Sequence, residues 1–80
     1  MNPGKSRSGL SAHFIVVIKR RRIDLGLSQE ELGERAGLDR TYVSGIERGK
    51  RNMTVDTLSR LVRALFTTPA EFLKLVLKEV

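Results

Sequence analysis

Apolar residues in this chain recur at helical spacing, and no stretch alternates in the way a half-buried strand would. The pattern predicts an all-α fold of five helices. Phe14, Ile15, Ile18 and Leu25 share one face of a first helix, which Ser11 can cap and Gly26 can close in the left-handed position. A second helix starts at Gln29, because Ser28 is a good N-cap and Glu31, three residues on, completes a capping box. Leu32 and Ala36 give it one narrow apolar stripe. Gly37 ends it, Asp39 caps a third helix, and Val43 and Ile46 form the inward side of that one. Thr54 caps a fourth helix to about Phe66, with Val55, Leu58, Leu61, Val62 and Leu65 inward. Thr68, Pro69 at the first helical position and Glu71 start a fifth, which carries Phe72, Leu73, Leu75, Val76, Leu77 and Val80. Residues 1–10 hold Pro, Gly and Ser with almost nothing to bury and read as a flexible tail, with the folded domain spanning 11–80.

The second and third helices organise the rest. Gly33 stands in mid-helix at a cost of about 1 kcal/mol against alanine, which makes sense if a second helix crosses closely there. A small residue, a glycine turn, a cap and then paired apolar positions describe two short helices crossing steeply. This is the helix-turn-helix arrangement, whose second helix enters the DNA major groove. An ordinary helical hairpin shares the caps and the periodicity, but it leaves the small residue and the polar outer face unexplained.

Composition narrows the chemistry. Eighty residues make one small domain, and no cysteine is present to form a disulfide or a cysteine zinc site. With a single histidine, His13, neither a metal centre nor a histidine-based catalytic group is expected. No cofactor or small-molecule ligand is expected either, and there is no catalytic constellation or phosphate loop to support an enzyme. The longest apolar run, Phe14 to Ile18, is too short to span a bilayer, so a cytoplasmic bacterial protein is the expectation. The net charge of +6 is uneven, since Lys5, Arg7, Lys19, Arg20, Arg21 and Arg22 all precede the first acid, Asp24. Such a balance favours a polyanionic partner through counterion release.

With Val43 and Ile46 inward, Arg40, Thr41, Ser44 and Arg48 fall on the opposite side of the third helix. These residue types reach base edges, and the first two lie at the helix start, where recognition helices touch bases. Gln29, at the start of the second helix, would meet phosphate. Lys50, Arg51 and Asn52, in a basic loop, read as further phosphate contacts. Tyr42 reads equally as a phosphate contact and as a half-buried packing residue. Lys19, Arg20 and Arg21 point more outward and read as solvated. Arg22, however, lands within the apolar face of the first helix, where a charge needs a partner. Glu47, one turn beyond Val43, is the best candidate for a structural ion pair, against a reading in which Arg22 snorkels outward to phosphate.

The run GLSQEELGERAGLDRTYVSGIERGKRNMTVDTL (26–58) resembles the phage-repressor-like helix-turn-helix family of bacteria, the lambda repressor and Cro type, also called the XRE family. Within it, LDRTYVSGIERGKRN is most similar to the controller proteins of restriction–modification systems. The resemblance spans about Ile15 to Phe72. It implies a lambda-repressor-like homodimer that binds a palindromic operator in double-stranded DNA and regulates transcription, with RNA polymerase as a further partner. Carried over by position, Gln29 would touch phosphate, Arg40, Thr41 and Ser44 would read bases, and Arg51 and Asn52 would contact the backbone or the minor-groove edge. The family also has an ion pair at the positions of Arg22 and Glu47. Gly33 departs from its pattern, which more often has alanine. The apolar residues of the fifth helix spread over more than half its circumference, so Phe72, Leu73, Val76 and Leu77 are expected at the dimer interface. The alternative is a phage-type repressor or an antitoxin whose C-terminal helix binds a protein partner.

Overall fold

The computed structural model describes residues 10–66 and 68–79. Five helices follow one another: α1 (Leu10–Asp24), α2 (Gln29–Ala36), α3 (Arg40–Glu47), α4 (Val55–Leu65) and α5 (Pro69–Glu79). No strand occurs among the described residues, and no helix there is long and apolar enough to cross a membrane. α2 packs on α3 and α4, while α1 lies against α5, α4 and α3.

Local chemistry accounts for most of the helix ends. The Ser28 hydroxyl accepts from the Glu31 amide at 2.9 Å, and the Glu31 carboxylate accepts from the Ser28 amide at 2.8 Å. Thr68 and Glu71 form the same reciprocal pair at the start of α5. Asp39 accepts from the Thr41 amide, and Thr54 from the Thr57 amide. Gly26 and Gly37 close α1 and α2 at φ of 73° and 70°, in the region that suits glycine.

The core runs through all five helices. Ile18, Leu32, Val43, Ile46 and Leu61 are fully buried, and Phe72 lies 5.5 Å, centroid to centroid, from each of Phe14 and Phe66. Several expectations are corrected here. α1 already includes Leu10, so Ser11 lies inside the helix and not at its cap. The remaining tail residues, with Lys5 and Arg7, and Val80 at the other end lie outside the described residues. Leu25 is exposed, because the left-handed turn at Gly26 redirects the chain and buries Leu27 in its place. On α1 the buried pair is Val17 and Ile18. Val55, expected inward, is 85% exposed; it opens α4, whose first turn buries Thr57 instead.

Gly33 is explained by a nearer neighbour than a crossing helix. A Cβ there would lie 2.5 Å from the Leu38 carbonyl oxygen and 3.6 Å from the Arg40 amide nitrogen. The start of α3 thus folds back directly over α2. The same turn is held by Leu38 N–H donating to the Gly33 carbonyl at 2.8 Å.

Candidate nucleic-acid interface

α3 divides cleanly by face. Val43, Gly45, Ile46 and Glu47 are buried, Arg40, Thr41 and Arg48 are exposed, and Ser44 is half-buried between them. Arg40 and Thr41 occupy the first turn, next to the Asp39 cap. Arg48 sits past the last turn, where its Nε donates back to the Ser44 carbonyl at 3.3 Å. Lys50, Arg51 and Asn52 stand exposed in the following loop, beside the same face. Gly45 matters to this arrangement. The stem of Arg51 lies across it, where a Cβ would come within 2.5 Å of the Arg51 Cγ, and the Arg51 guanidinium sits 6.0 Å from the Tyr42 ring centroid.

Behind the exposed face, the helix is anchored by charge. Arg22 Nε donates to Glu47 Oε2 at 2.7 Å, and Arg22 Nη2 to Glu47 Oε1 at 2.9 Å. This is a two-pronged pair, which sets direction as well as distance. The side chains retain 12% and 2% of their surface, so Glu47 is buried and Arg22 keeps only a small contact with water. Arg22 Nη1 also donates to the Leu27 carbonyl at 2.7 Å. The hydrogen bonds to Glu47 hold the Arg22 guanidinium above its ordinary range, against the opposing effect of burial. Arg22 is thus directed into the protein, which does not agree with the snorkelling alternative.

Gln29 was expected at phosphate, but its Nε2 donates to Glu47 Oε1 at 3.0 Å, making it a third clamp on that carboxylate. One amide N–H remains for an outside acceptor. Tyr42 is half-buried, and its hydroxyl donates to the Asn52 carbonyl at 3.1 Å and lies 3.3 Å from Thr57 Oγ1. Of its two readings, the structure shows the packing one. Arg21, read as outward, is corrected: its Nε donates to the Leu65 carbonyl at 2.9 Å and its guanidinium lies 5.1 Å from the Phe66 ring centroid. The signal was available, since Arg21 stands seven residues after Phe14 and so on the same helical face.

The four residues expected at a dimer interface divide. Phe72 and Val76 are 5% and 4% exposed and belong to the chain's own core, whereas Leu73 and Leu77 are 55% and 73% exposed. Leu73 borders an apolar groove between α4 and α5 lined by Val55, Leu58, Val62 and Pro69. That narrows the expectation to Leu73, Leu77 and this groove. Among the described residues, no group of His, Cys, Asp and Glu side chains could hold a metal ion.

Comparison with known proteins places these features. A family model described as helix-turn-helix matches residues 18–72. The control protein C.SmaI of Serratia marcescens is 49% identical over 47 residues, 59% of this chain and 56% of that protein. The control protein C.BamHI of Bacillus amyloliquefaciens is 43% identical over 47 residues, 59% of this chain and 58% of that one. The matched stretch thus spans little more than half the length of these two relatives. Among solved structures, the wild-type restriction–modification controller protein C.Esp1396I is similar at 39% identity and a TM-score of 0.85, covering 90% of this chain and 92% of that one. The tetramer of the same protein in complex with its natural 35 base-pair operator is similar at a TM-score of 0.84 and 39% identity, covering 90% and 95%.

Proposed function

The chain belongs to the helix-turn-helix family, and from that premise we propose that it is a sequence-specific, DNA-binding transcriptional regulator of the restriction–modification controller type. It is a regulator and not an enzyme, as its relatives are. The observation that carries this reading is the line of exposed Arg40 and Thr41 with half-buried Ser44, on a helix whose opposite side is locked to the core by the Arg22–Glu47 pair. A rigid helix with free base-reading groups in its first turns is what major-groove recognition requires. The structural neighbour bound to its operator supports the same use of this fold.

Arg40, Thr41 and Ser44 take the role of base readers, with Arg48 at the far end of the same face. Lys50, Arg51, Asn52 and the outer N–H of Gln29 meet phosphate, and Tyr42 acts behind them by holding the loop. Two copies pair through Leu73, Leu77 and the α4–α5 groove, so that two recognition helices meet a palindromic operator. RNA polymerase as a partner rests on the resemblance to controller proteins alone. The test is selection of preferred duplexes from a random pool. A two-fold symmetric site with half-sites about 34 Å apart is expected, and a pool that stays random after repeated rounds would overturn the reading.

A further inference from the structure

Thr57 is one of two polar or charged residues buried among the described ones, at 6% exposure, and it lies on α4 and not on the candidate recognition helix α3. We propose that Thr57 is a positioning residue for the DNA interface, setting the loop 50–52 against α3 through a chain of hydroxyls. The proposal rests on the reading of this face as a DNA-binding surface.

The direction of the chain follows from counting protons. Each hydroxyl has one proton to donate and two lone pairs to accept with. Thr54 Oγ1 accepts from the Thr57 amide and donates to Thr57 Oγ1 at 3.0 Å. Tyr42 donates its own proton to the Asn52 carbonyl at 3.1 Å. The Thr57 proton is therefore the one available for the 3.3 Å contact with the Tyr42 oxygen. Donation runs one way, from Thr54 through Thr57 and Tyr42 to the Asn52 carbonyl. It begins at the cap of α4, crosses the middle of α3 and ends on the loop backbone. Each link polarises the next.

What the chain holds is the backbone-contacting group. Arg51 stacks over the Tyr42 ring, its stem lies on Gly45, and the Lys50 and Arg51 amides both donate to the Gly45 carbonyl, at 2.8 and 3.2 Å. Loss of the Thr57 hydroxyl leaves the Tyr42 oxygen without its buried donor and frees the ring to turn. Arg51 and the Asn52 carbonyl then lose their common support. Thr57 touches no DNA and acts through Tyr42.

The test uses Thr57→Val, which keeps the shape and removes the hydroxyl, and Thr57→Ser, which keeps the hydroxyl. Hydrogen exchange is measured on the free protein, and binding on the duplex selected by the parent and on a random duplex of equal length. In Thr57→Val, protection of the Lys50 and Arg51 amides should fall about tenfold while that of Ile18 and Leu61 holds. Operator affinity should fall about tenfold, and the slope of log affinity against log salt should become shallower by about one unit. Thr57→Ser should restore all three. Unchanged loop exchange, or a loosened loop with operator affinity and salt slope intact, overturns the proposal. A loosened loop in a protein whose parent selects no duplex sinks the DNA-binding reading but leaves Thr57 as the support of the loop. Should Thr57→Val fail to fold, Tyr42→Phe cuts the same chain one link later and is held to the same outcomes.

Discussion

Arg40, at the start of α3, and Arg51, in the loop after it, carry the same charge, yet their surroundings assign them different work. Arg40 projects from the first turn of α3 with its guanidinium exposed, whereas Arg51 is laid along Gly45 toward Tyr42. Arg40→Ala should relax base preference and cost about 1–3 kcal/mol on the selected site. Arg51→Ala should weaken binding to all duplexes and make the salt slope shallower by about one unit. Equal losses on specific and random DNA for Arg40→Ala would remove it from the base readers. Glu47 is the other decisive residue, because its carboxylate answers both Arg22 and Gln29 with 2% of its side chain exposed. Glu47→Ala strands the Arg22 guanidinium and should destabilise the fold by about 3–5 kcal/mol, measured by chemical denaturation. That loss is the penalty of an uncompensated charge; the intact pair mainly fixes the angle of α3.

Among the elements, α2 is the one whose local propensities and tertiary setting pull apart. Its interior glycine is unfavourable for a helix, yet the Leu38 carbonyl fills the space a side chain would need. Gly33→Val should cost about 2–3 kcal/mol through displacement of the turn, and a thermal melt equal to the parent's would show that the turn yields freely. The start of α2 carries a pH dependence. Hydrogen bonds from the Ser28 backbone, then its side chain, hold the Glu31 carboxyl below its ordinary value of 4.5. The folded state therefore binds its proton less readily than the unfolded chain. The contribution is fully present above pH 4.5 and is lost as pH falls through the folded value. Glu31→Gln keeps an acceptor for the Ser28 amide without titrating, so the stability gap between parent and variant should narrow on acidification. A gap constant from neutral pH to pH 3 would remove Glu31 from the acid response.

Among the described residues, exposed large apolar side chains stand on two sides: Val16, Ile23 and Leu25 on and just after α1, and a more exposed set on α4 and α5. Val55, Leu73 and Leu77 are each more than half exposed, and Leu73 and Leu77 stand one helical turn apart. Clustered apolar exposure of this kind marks an interaction surface. The double change Leu73→Asp, Leu77→Asp should leave the melt of the isolated chain nearly unaltered, since both side chains already face water. It should shift sedimentation to monomer and reduce operator affinity, because two recognition helices no longer bind as one unit. Parent protein that stays monomeric at high micromolar concentration, with and without operator, would count against pairing through this face.

Apart from the cap expected at Ser11, the sequence by itself determined what depends on neighbours three or four residues apart. Caps at Ser28, Asp39, Thr54 and Thr68, and left-handed glycines at 26 and 37, stand where the residue types predict them, because a cap is completed by backbone within one turn. The number of helices follows from those stops, and the exposed face of α3 follows once Val43 and Ile46 are turned inward. Arg22 was legible for a different reason: a charge on an apolar stripe demands a partner before any partner is known. Only the tertiary structure decided which groups meet from distant segments. Arg21 reaches a carbonyl 44 residues away, Gln29 turns to Glu47 and not outward, and Thr57 finds Tyr42. It also decided that Phe72 and Val76 fill the chain's own core while Leu73 and Leu77 remain outside. Spacing along a helix says that residues share a face; which neighbour covers that face is set by how the helices pack.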